Sequence, residues 1–576
     1  MLRTLNIIIL NILRSKTKKR LVLLWTFLLF VATIMMIPFK LVEVKMLPGK
    51  NNDSFSIHID LPEGSSIEQT QSVCQCVSGY IRDEKEVTDA EVFLGMGSPL
   101  DIAGLVKGSH FKNSENVAEV VVNITKKHDR DEPSYRMVQR LRPAVQHGCE
   151  SKVSGTSIKF VEAPAGPPTL AAIVAEIYGT DTEGIRKLSS EVESIFKATP
   201  GLVDIDIMQD NIYEKVEIRV LNVKISKSGL SIKQVNDILY LALEGMTIAI
   251  KNSAKYNEQV PIFLTLSPET KDFKDRDIRS IENKLSSLKL MNEKGMMVPL
   301  TEIVEIAAMP SRPKITSKNL HQMTNVVAET DMVSQVYPLM DARTAIIETL
   351  AEHYDISQIG LFDLELKEKG SGKIYTLLWD GEMKVTLDTF VDLGGAFIAA
   401  LILIFLLLVI YYKSFVISGI ILLGSFLSII GVILGHYITD LFVDGTFFLT
   451  ATSLIGFIAL IGISSRNSLL LIDFTKSLVV DKGMRPKEAI VYATITRATP
   501  ILLTAVAIIL ASTLLAGDAV FGGLGIALIF GTLAGVISSL MVVPILMDNS
   551  DLERHFHCDE NGIRCKENIG ELEEER

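Results

Sequence analysis

The residues of this chain that are best suited to chemistry lie inside long apolar stretches. Arg466 and Asn467 are adjacent in the segment GISSRNSLLLIDF. Arg497 and Thr504 lie seven residues apart in the next apolar segment, so a helix would present them on one face. An arginine near the centre of a bilayer costs roughly 2.5–3.5 kcal/mol on insertion scales. Such a residue is retained only where it is paired, in contact with water or functional.

Asp473 follows Arg466 by seven residues, which places it on the same helix face and makes it a candidate helper. The central part of every predicted span lacks Asp and Glu. Because arginine stays protonated, Arg466 and Arg497 cannot carry a proton themselves. Simpler interpretations stay open: Arg466 extends to the cytoplasmic surface, Asp473 is an interfacial residue, and Thr504 bonds only to its own helix.

The composition indicates a membrane protein with a large soluble part. The chain has 576 residues, 48% of them hydrophobic and 22% charged, and a formal net charge of −11, so apolar and polar stretches must be segregated. A spanning helix needs about 20 apolar residues. Six runs fit this requirement: Arg20–Val42, Phe390–Tyr412, Val416–Ile438, Leu449–Phe474, Thr499–Leu515 and Gly522–Leu546.

Lys and Arg in the short connections predict the orientation, because these residues mark the cytoplasmic side. Arg14, Lys16 and Lys18 precede the first run and place the N-terminus inside, and alternating crossings place Lys413 inside as well. The first run has no small-residue cleavage site after it, so we interpret it as an uncleaved anchor. The predicted segments are a cytoplasmic amphipathic helix on the lipid surface (1–19), a crossing (20–42), an exported region, five crossings (387–547) and a cytoplasmic acidic tail (548–576).

Strand and helix patterns alternate in the exported region. Period-two alternation at Ser54–Leu61 and a capped amphipathic pattern after Ser65 or Ser66 predict a strand followed by a helix. A proline and glycine cluster, EAPAGPPT, marks a domain boundary. We predict a first α+β subdomain (50–165), a second one in two parts (166–213 and 307–385) and an inserted module (214–306).

The remaining candidate sites are weak. In an oxidising compartment Cys149 could form a disulfide with Cys74 or Cys76, and either choice leaves one thiol free. The tail offers four zinc-ligand types in a spacing that matches no common site: His555, His557, Cys558 and Cys565. The sequence carries no phosphate-binding loop and no catalytic triad pattern. We therefore expect no cofactor, no resident metal, no nucleic-acid partner and no enzymatic activity.

Several stretches resemble resistance-nodulation-division (RND) efflux permeases, and specifically the C-terminal half of a drug or heavy-metal pump. They are LPEGSSIEQT, VEAPAGPPTLAAIVAEIYG, GLVDIDIMQDNIYEKVEIRV, KSGLSIKQVNDIL, MVPLTEIVEI, FFLTATSLIGFIALIGISSRNSLLLIDF and EAIVYATITRATPILLTAVAII. The resemblance implies six transmembrane helices, ferredoxin-like periplasmic porter subdomains and a docking-like module. It also implies a trimer in the inner membrane, a periplasmic adaptor, an outer-membrane channel and export driven by the proton gradient.

The family's proton-relay motif falls on Arg466, Asn467, Arg497 and Thr504, but this chain departs from the family pattern. Thr499 stands before Pro500 where the family commonly has a second arginine. The titratable aspartates belong to the other half of such pumps, so the resemblance implies a complementary N-terminal half as partner. Two alternatives remain at this point: a protein-export helper similar to SecDF, and a transport-inactive half that acts as a membrane-anchored scaffold.

Overall fold

A computed structural model describes residues 2–46, 51–99, 102–162, 166, 169–252, 254–255, 259–271, 277–443, 447–518 and 520–550. The tail with its four zinc-ligand types lies outside these residues. The chain forms two compact units. One unit comprises Pro62–Ser65 and Asp210–Lys314, and the other contains the rest of the described chain.

The larger unit begins with two helices, α1 (Leu2–Leu13) and α2 (Lys16–Met35), before its first α+β layer. The elements of that layer are β1 (Ser54–Asp60), α3 (Ile67–Arg82), β2 (Val87–Met96), α4 (Ile102–Lys107), β3 (Asn113–Ile124), α5 (Ser134–Cys149) and β4 (Ser157–Glu162). The strand order is β2-β3-β1-β4, and all neighbouring strands are antiparallel. Ser66 caps α3 in a reciprocal bond with Gln69, as the sequence predicted for one of its two serines.

A disulfide joins the two long helices of this layer. Cys76 on α3 bonds to Cys149 on α5, which resolves the pairing that the sequence left open. Cys74 stays a free thiol and is buried in the apolar core of the layer. Burial raises the pKa of the Cys74 thiol to about 12, so this thiol is unreactive while the layer is folded.

The second layer starts with β5 (Ile173–Tyr178), α6 (Thr182–Ala198) and β6 (Leu202–Ile207). The chain then forms the smaller unit, which contains β7 (Glu214–Val220), α7 (Asn222–Lys227), α8 (Ile232–Leu243), β8 (Met246–Lys251), β9 (Val260–Leu264), α9 (Pro268–Lys271), α10 (Ile278–Leu285), β10 (Lys289–Met291), β11 (Met297–Pro299) and β12 (Val304–Pro310). In this unit β7 pairs with β12, so its first and last strands are neighbours.

The chain completes the second layer with β13 (Ser317–Lys318), β14 (His321–Thr330), α11 (Val336–Leu350), β15 (Tyr354–Ile359), β16 (Asp363–Glu368) and β17 (Ile374–Asp380). The sheet order is β13-β14-β5-β17-β16-β15, and β6 also pairs with β14. Strand β14 therefore pairs with β5 and β6, which precede the smaller unit in the sequence, and with β13, which follows it. The second layer has its own apolar core, separate from that of the first layer.

Five helical stretches among the described residues are long and apolar enough to cross a membrane. They consist of α12 (Glu382–Tyr412), α13 (Phe415–Phe426) with α14 (Ile429–Asp440), α15 (Ala451–Val480), α16 (Pro486–Ala516), and α17 (Gly522–Ile537) with α18 (Val543–Asn549) after a π-helical turn at Ser538–Val542. The predicted first crossing corresponds to α2, which starts among basic residues at Lys16 and ends at Met35. Its role as a sixth crossing stays a prediction.

Helix α17 lies at close range between its neighbours because glycines line the contacts. A Cβ atom on Gly431 of α14 would lie 2.2 Å from the Phe530 carbonyl oxygen on α17. A Cβ atom on Gly535 would lie 3.2 Å from Ser464 Oγ on α15. Small residues stabilise helix contacts in lipid by letting backbones approach, since lipid provides no hydrophobic driving force between helices.

We predict that Gly431→Ala destabilises the bundle, because the new methyl group would meet backbone and Ala534 Cβ, 2.6 Å away, rather than a flexible side chain. Overpacking of this kind costs typically about 1–3 kcal/mol. Gly462→Ala on α15 is the matched control, since a Cβ there meets nothing within 4 Å. Thermal unfolding of both variants in one detergent should show a lower midpoint for Gly431→Ala alone. Equal midpoints would contradict the close α14–α17 contact.

Candidate functional site in the helix bundle

One face of α15 is left uncovered by the described part of the chain. Ile455, Ala459, Gly462, Arg466 and Leu470 recur every three or four residues along this face, and all are exposed. Arg466 makes no ion pair or hydrogen bond with any described residue. The space around Gly462, one helical turn before it, is open. A guanidinium group therefore lies on an open face of a predicted membrane span, and no described residue of the chain pairs with it.

The neighbours of Arg466 point into the bundle. Asn467 is 4% exposed and Ser468 is fully buried. The hydroxyl of Ser465 lies 2.9 Å from that of Ser425 on α13. Buried hydroxyl groups thus hold α15 against the rest of the bundle, and they fix the direction in which Arg466 faces.

Arg497 on α16 is only partly exposed and contacts α15. Its guanidinium carbon lies 4.6 Å from the centre of the Phe474 ring, a favourable cation–π distance. Its Nε atom is buried and has no hydrogen-bond partner among the described residues. Arg497 therefore contacts a ring face, and no carboxylate among the described residues pairs with it.

Thr504 and Asp473 form hydrogen bonds with groups other than the two arginines. The Thr504 hydroxyl donates to the Ile501 carbonyl of its own helix at 3.0 Å, as the simpler interpretation of the sequence anticipated. Asp473 accepts a hydrogen bond of 2.7 Å from the Tyr412 hydroxyl at the end of α12. Asp473 makes no ion pair with Arg466 or Arg497, although it shares a helix with one of them.

Sequence reasoning missed the one buried ion pair of the described helix bundle. Lys19 Nζ lies 2.6 Å from Asp548 Oδ2, and their side chains are 9% and 2% exposed. Asn549 Oδ1 accepts a second hydrogen bond from Lys19 at 3.0 Å. Because Lys19 belongs to a run of basic residues, its sequence context suggested a solvated cation and gave no signal of this contact.

The described residues contain no group of three or more His, Cys, Asp or Glu side chains that could hold a metal ion. The polar side chains of the described bundle carry charge and hydrogen-bonding groups. The described bundle has two cations on adjacent long helices and no carboxylate in the middle of its spans, an arrangement that can accommodate a further negative charge.

The fold and the site define a class of protein: a multi-spanning membrane protein with a two-layer α+β region that is interrupted by an inserted unit. Its helix bundle holds two arginines that have no carboxylate partner among the described residues. Residues 8–548 match the sequence model of the AcrB/AcrD/AcrF family. The chain therefore belongs to this family of RND efflux permeases.

Individual relatives are distant. The chain is 22% identical over 544 residues to the swarming motility protein SwrC of Bacillus subtilis, covering 90% of this chain and 45% of SwrC. Two crystal forms of a heavy metal efflux pump match with TM-scores of 0.69 and 0.68 at 18% identity, covering 94% of this chain and 51% of the pump. The chain thus spans about half the length of these relatives.

We predict different stability effects for substitutions of two basic residues. Lys19→Met leaves Asp548 buried without its cation, and breaking such a pair costs roughly 3–5 kcal/mol. Arg466→Met removes a charge that has no described partner, so it should leave the stability of the isolated chain unchanged or raise it. Thermal unfolding of the purified chain in detergent measures both. A large loss for Arg466→Met would show that Arg466 has a partner within the chain.

Proposed function

We propose that this chain is one half of a proton-driven RND efflux permease of the inner membrane. The observation that carries this proposal is the exposed, unpaired Arg466 on the open face of α15. A cation in lipid needs a negative partner, and the described spans hold no carboxylate near their centres. A complementary N-terminal half would supply that carboxylate, and the half-length match to the relatives is consistent with this assignment.

In this proposal the partner's carboxylate is the titratable group. Arg466 and Arg497 lower its pKa when they lie near it, because an adjacent cation favours the ionised form. Proton binding would neutralise the carboxylate and weaken its pairing with Arg466. Asn467 and Thr504 are assigned supporting hydrogen-bond roles. Asp473 is assigned to hold α12 on α15 through Tyr412 rather than to relay protons.

We propose the remaining architecture because the chain belongs to this family. Helix α2 would be the first of six crossings, both termini would be cytoplasmic, and the two α+β layers would be periplasmic porter subdomains. Apart from the short helix α4 between β2 and β3, the first layer has the connectivity strand-helix-strand-strand-helix-strand, which favours a ferredoxin-like subdomain. Residues 214–306 would be a docking-like module. A trimeric assembly would contact lipid, a periplasmic adaptor and an outer-membrane channel, and would export drugs or metal cations.

The functional test is a resistance assay in cells that express this chain with its complementary half. We predict that Arg466→Ala lowers resistance by at least about tenfold, since ion pairing with the partner is lost, and that Arg466→Lys retains part of it. Lys476→Ala is the matched control, because this cation lies near the end of the same helix. Full resistance with Arg466→Ala would contradict the coupling role.

We also predict that Cys76 and Cys149 are oxidised in cells, which would indicate that the first layer lies in an oxidising compartment. In protein purified from cells under non-reducing conditions, peptides with Cys76 and Cys149 should be linked, because a disulfide persists in an oxidising compartment. Peptide mapping by mass spectrometry measures the linkage, and Cys74→Ala should leave it intact. Fully reduced Cys76 and Cys149 would argue against an exported position of the first layer.

A further inference from the structure

Four cations at the junction of α1 and α2 are exposed: Arg14, Lys16, Lys18 and Arg20. None of them forms an ion pair with a described residue. Residues 1–42 contain no Asp or Glu, so no acidic neighbour in the sequence compensates these charges. Lys18 donates a hydrogen bond of 2.6 Å from Nζ to Asn11 Oδ1, which leaves its charge unpaired. We refer to the four cations as the cationic junction.

Lys19 lies in the same basic run and has a different environment. It is buried against Asp548, and Asn549 accepts a second hydrogen bond from it. The Asp548 side chain is 2% exposed, so this carboxylate is shielded from the four exposed cations. Because Lys19 faces the bundle, the rotation of α2 is fixed, and Lys18 and Arg20 on either side of it face outward.

The apolar part of α2 is exposed on the same side as Lys18. Leu21, Trp25 and Leu28 follow Lys18 by three, seven and ten residues, so the helix places all four side chains on one face. The three apolar side chains are 53%, 64% and 47% exposed. Trp25 lies about 10 Å beyond Lys18 along the helix axis, at 1.5 Å per residue. One face of α2 therefore begins with a cation and continues as an exposed apolar stripe.

The opposite side of α2 is covered by the bundle. The centre of the Phe30 ring lies 5.6 Å from that of Phe426 on α13. Helix α1 also packs inward, because Ile9 and Leu13 are buried in an apolar cluster with residues of α16 and α18. These contacts hold α1 and α2 against the bundle, so the cationic junction and the apolar stripe keep a fixed arrangement.

We infer that the cationic junction and the exposed face of α2 bind an anionic phospholipid of the cytoplasmic leaflet. Its phosphate would lie at Lys18, and its acyl chains would follow Leu21, Trp25 and Leu28. The inference rests on the proposed function only in taking α2 as a membrane crossing with a cytoplasmic start. It does not depend on proton transport or on the complementary half.

The chemistry of the face selects this class of ligand. Clustered Lys and Arg beside the cytoplasmic end of a crossing attract anionic headgroups. A free phosphate ion would contact the cations alone and leave the apolar stripe uncovered. A zwitterionic phospholipid has the same acyl chains but no net negative charge for the junction. An anionic phospholipid meets both requirements at once, since its charge and its acyl chains are joined in one molecule.

Trp25 provides the probe for this lipid. The chain has two tryptophans, and the other, Trp379, belongs to the apolar core of the second layer. The full-length chain is reconstituted in mixed bilayers of phosphatidylcholine and phosphatidylglycerol, in which one lipid at a time carries brominated acyl chains that quench tryptophan fluorescence on contact. The difference between the native chain and Trp25→Phe isolates the Trp25 signal. We expect the relative affinity for phosphatidylglycerol to be at least about threefold higher than for phosphatidylcholine, and to fall as salt rises.

Variants assign the preference to the junction. Arg14→Gln combined with Lys18→Gln should bring the ratio of the two affinities close to one. Lys476→Gln combined with Lys482→Gln is the matched control, because it removes the same charge near the end of α15 and should keep the preference. The lipid site is wrong if the control pair lowers the ratio as much as the junction pair.

The same experiment separates the remaining outcomes. Equal quenching of Trp25 by both lipids would overturn the lipid site and leave α2 as a crossing, whereas no quenching by either lipid would overturn both. Loss of the preference in inorganic phosphate at constant ionic strength would show that the junction binds phosphate without acyl chains. A preference that appears only after removal of residues 551–576 would assign the junction to the acidic tail instead.

Discussion

Charge in a medium that solvates it poorly is the constraint on which the helix bundle depends. Three cations of the described bundle have different surroundings. Lys19 is buried against Asp548, Arg497 lies over the Phe474 ring, and Arg466 has no partner among the described residues. The first two cations are stabilised within the described bundle, one by a carboxylate and one by an aromatic ring. In the proposed function, the third marks the surface that the complementary half would cover.

Helix packing determines where that surface lies. Glycines bring α17 close to α14 and α15, so these helices occupy the interior of the bundle. In the most apolar stretch of the α13–α14 span 67% of residues are buried, whereas in α12 the share is 6% and in α16 it is 22%. The uncovered side is therefore bordered by α12, α16 and the outer face of α15. A second set of helices would fit this side, and it would meet Arg466 there.

The sequence predicted those elements whose signal is local. The apolar runs, the cap at Ser66 and the strand β1 follow from patterns of neighbouring residues. Strand β2 was missed because its residues are mostly exposed and lack clear alternation. The contacts of Lys19, Arg142 and Asp204 join residues far apart in sequence, and no local pattern reports them. The site residues were found from their types, but only the structure shows that Asp473 bonds to Tyr412 and that Arg466 faces outward.

The central claim is that the guanidinium of Arg466 is opposed by a carboxylate of a different polypeptide. A photo-crosslinking amino acid at Leu470, exposed one turn beyond Arg466, probes that surface directly. In cells that contain the complementary half, irradiation should join the two polypeptides, and the crosslinked peptide should come from a transmembrane segment with an intramembrane Asp or Glu. Crosslinks to lipid alone would contradict the claim.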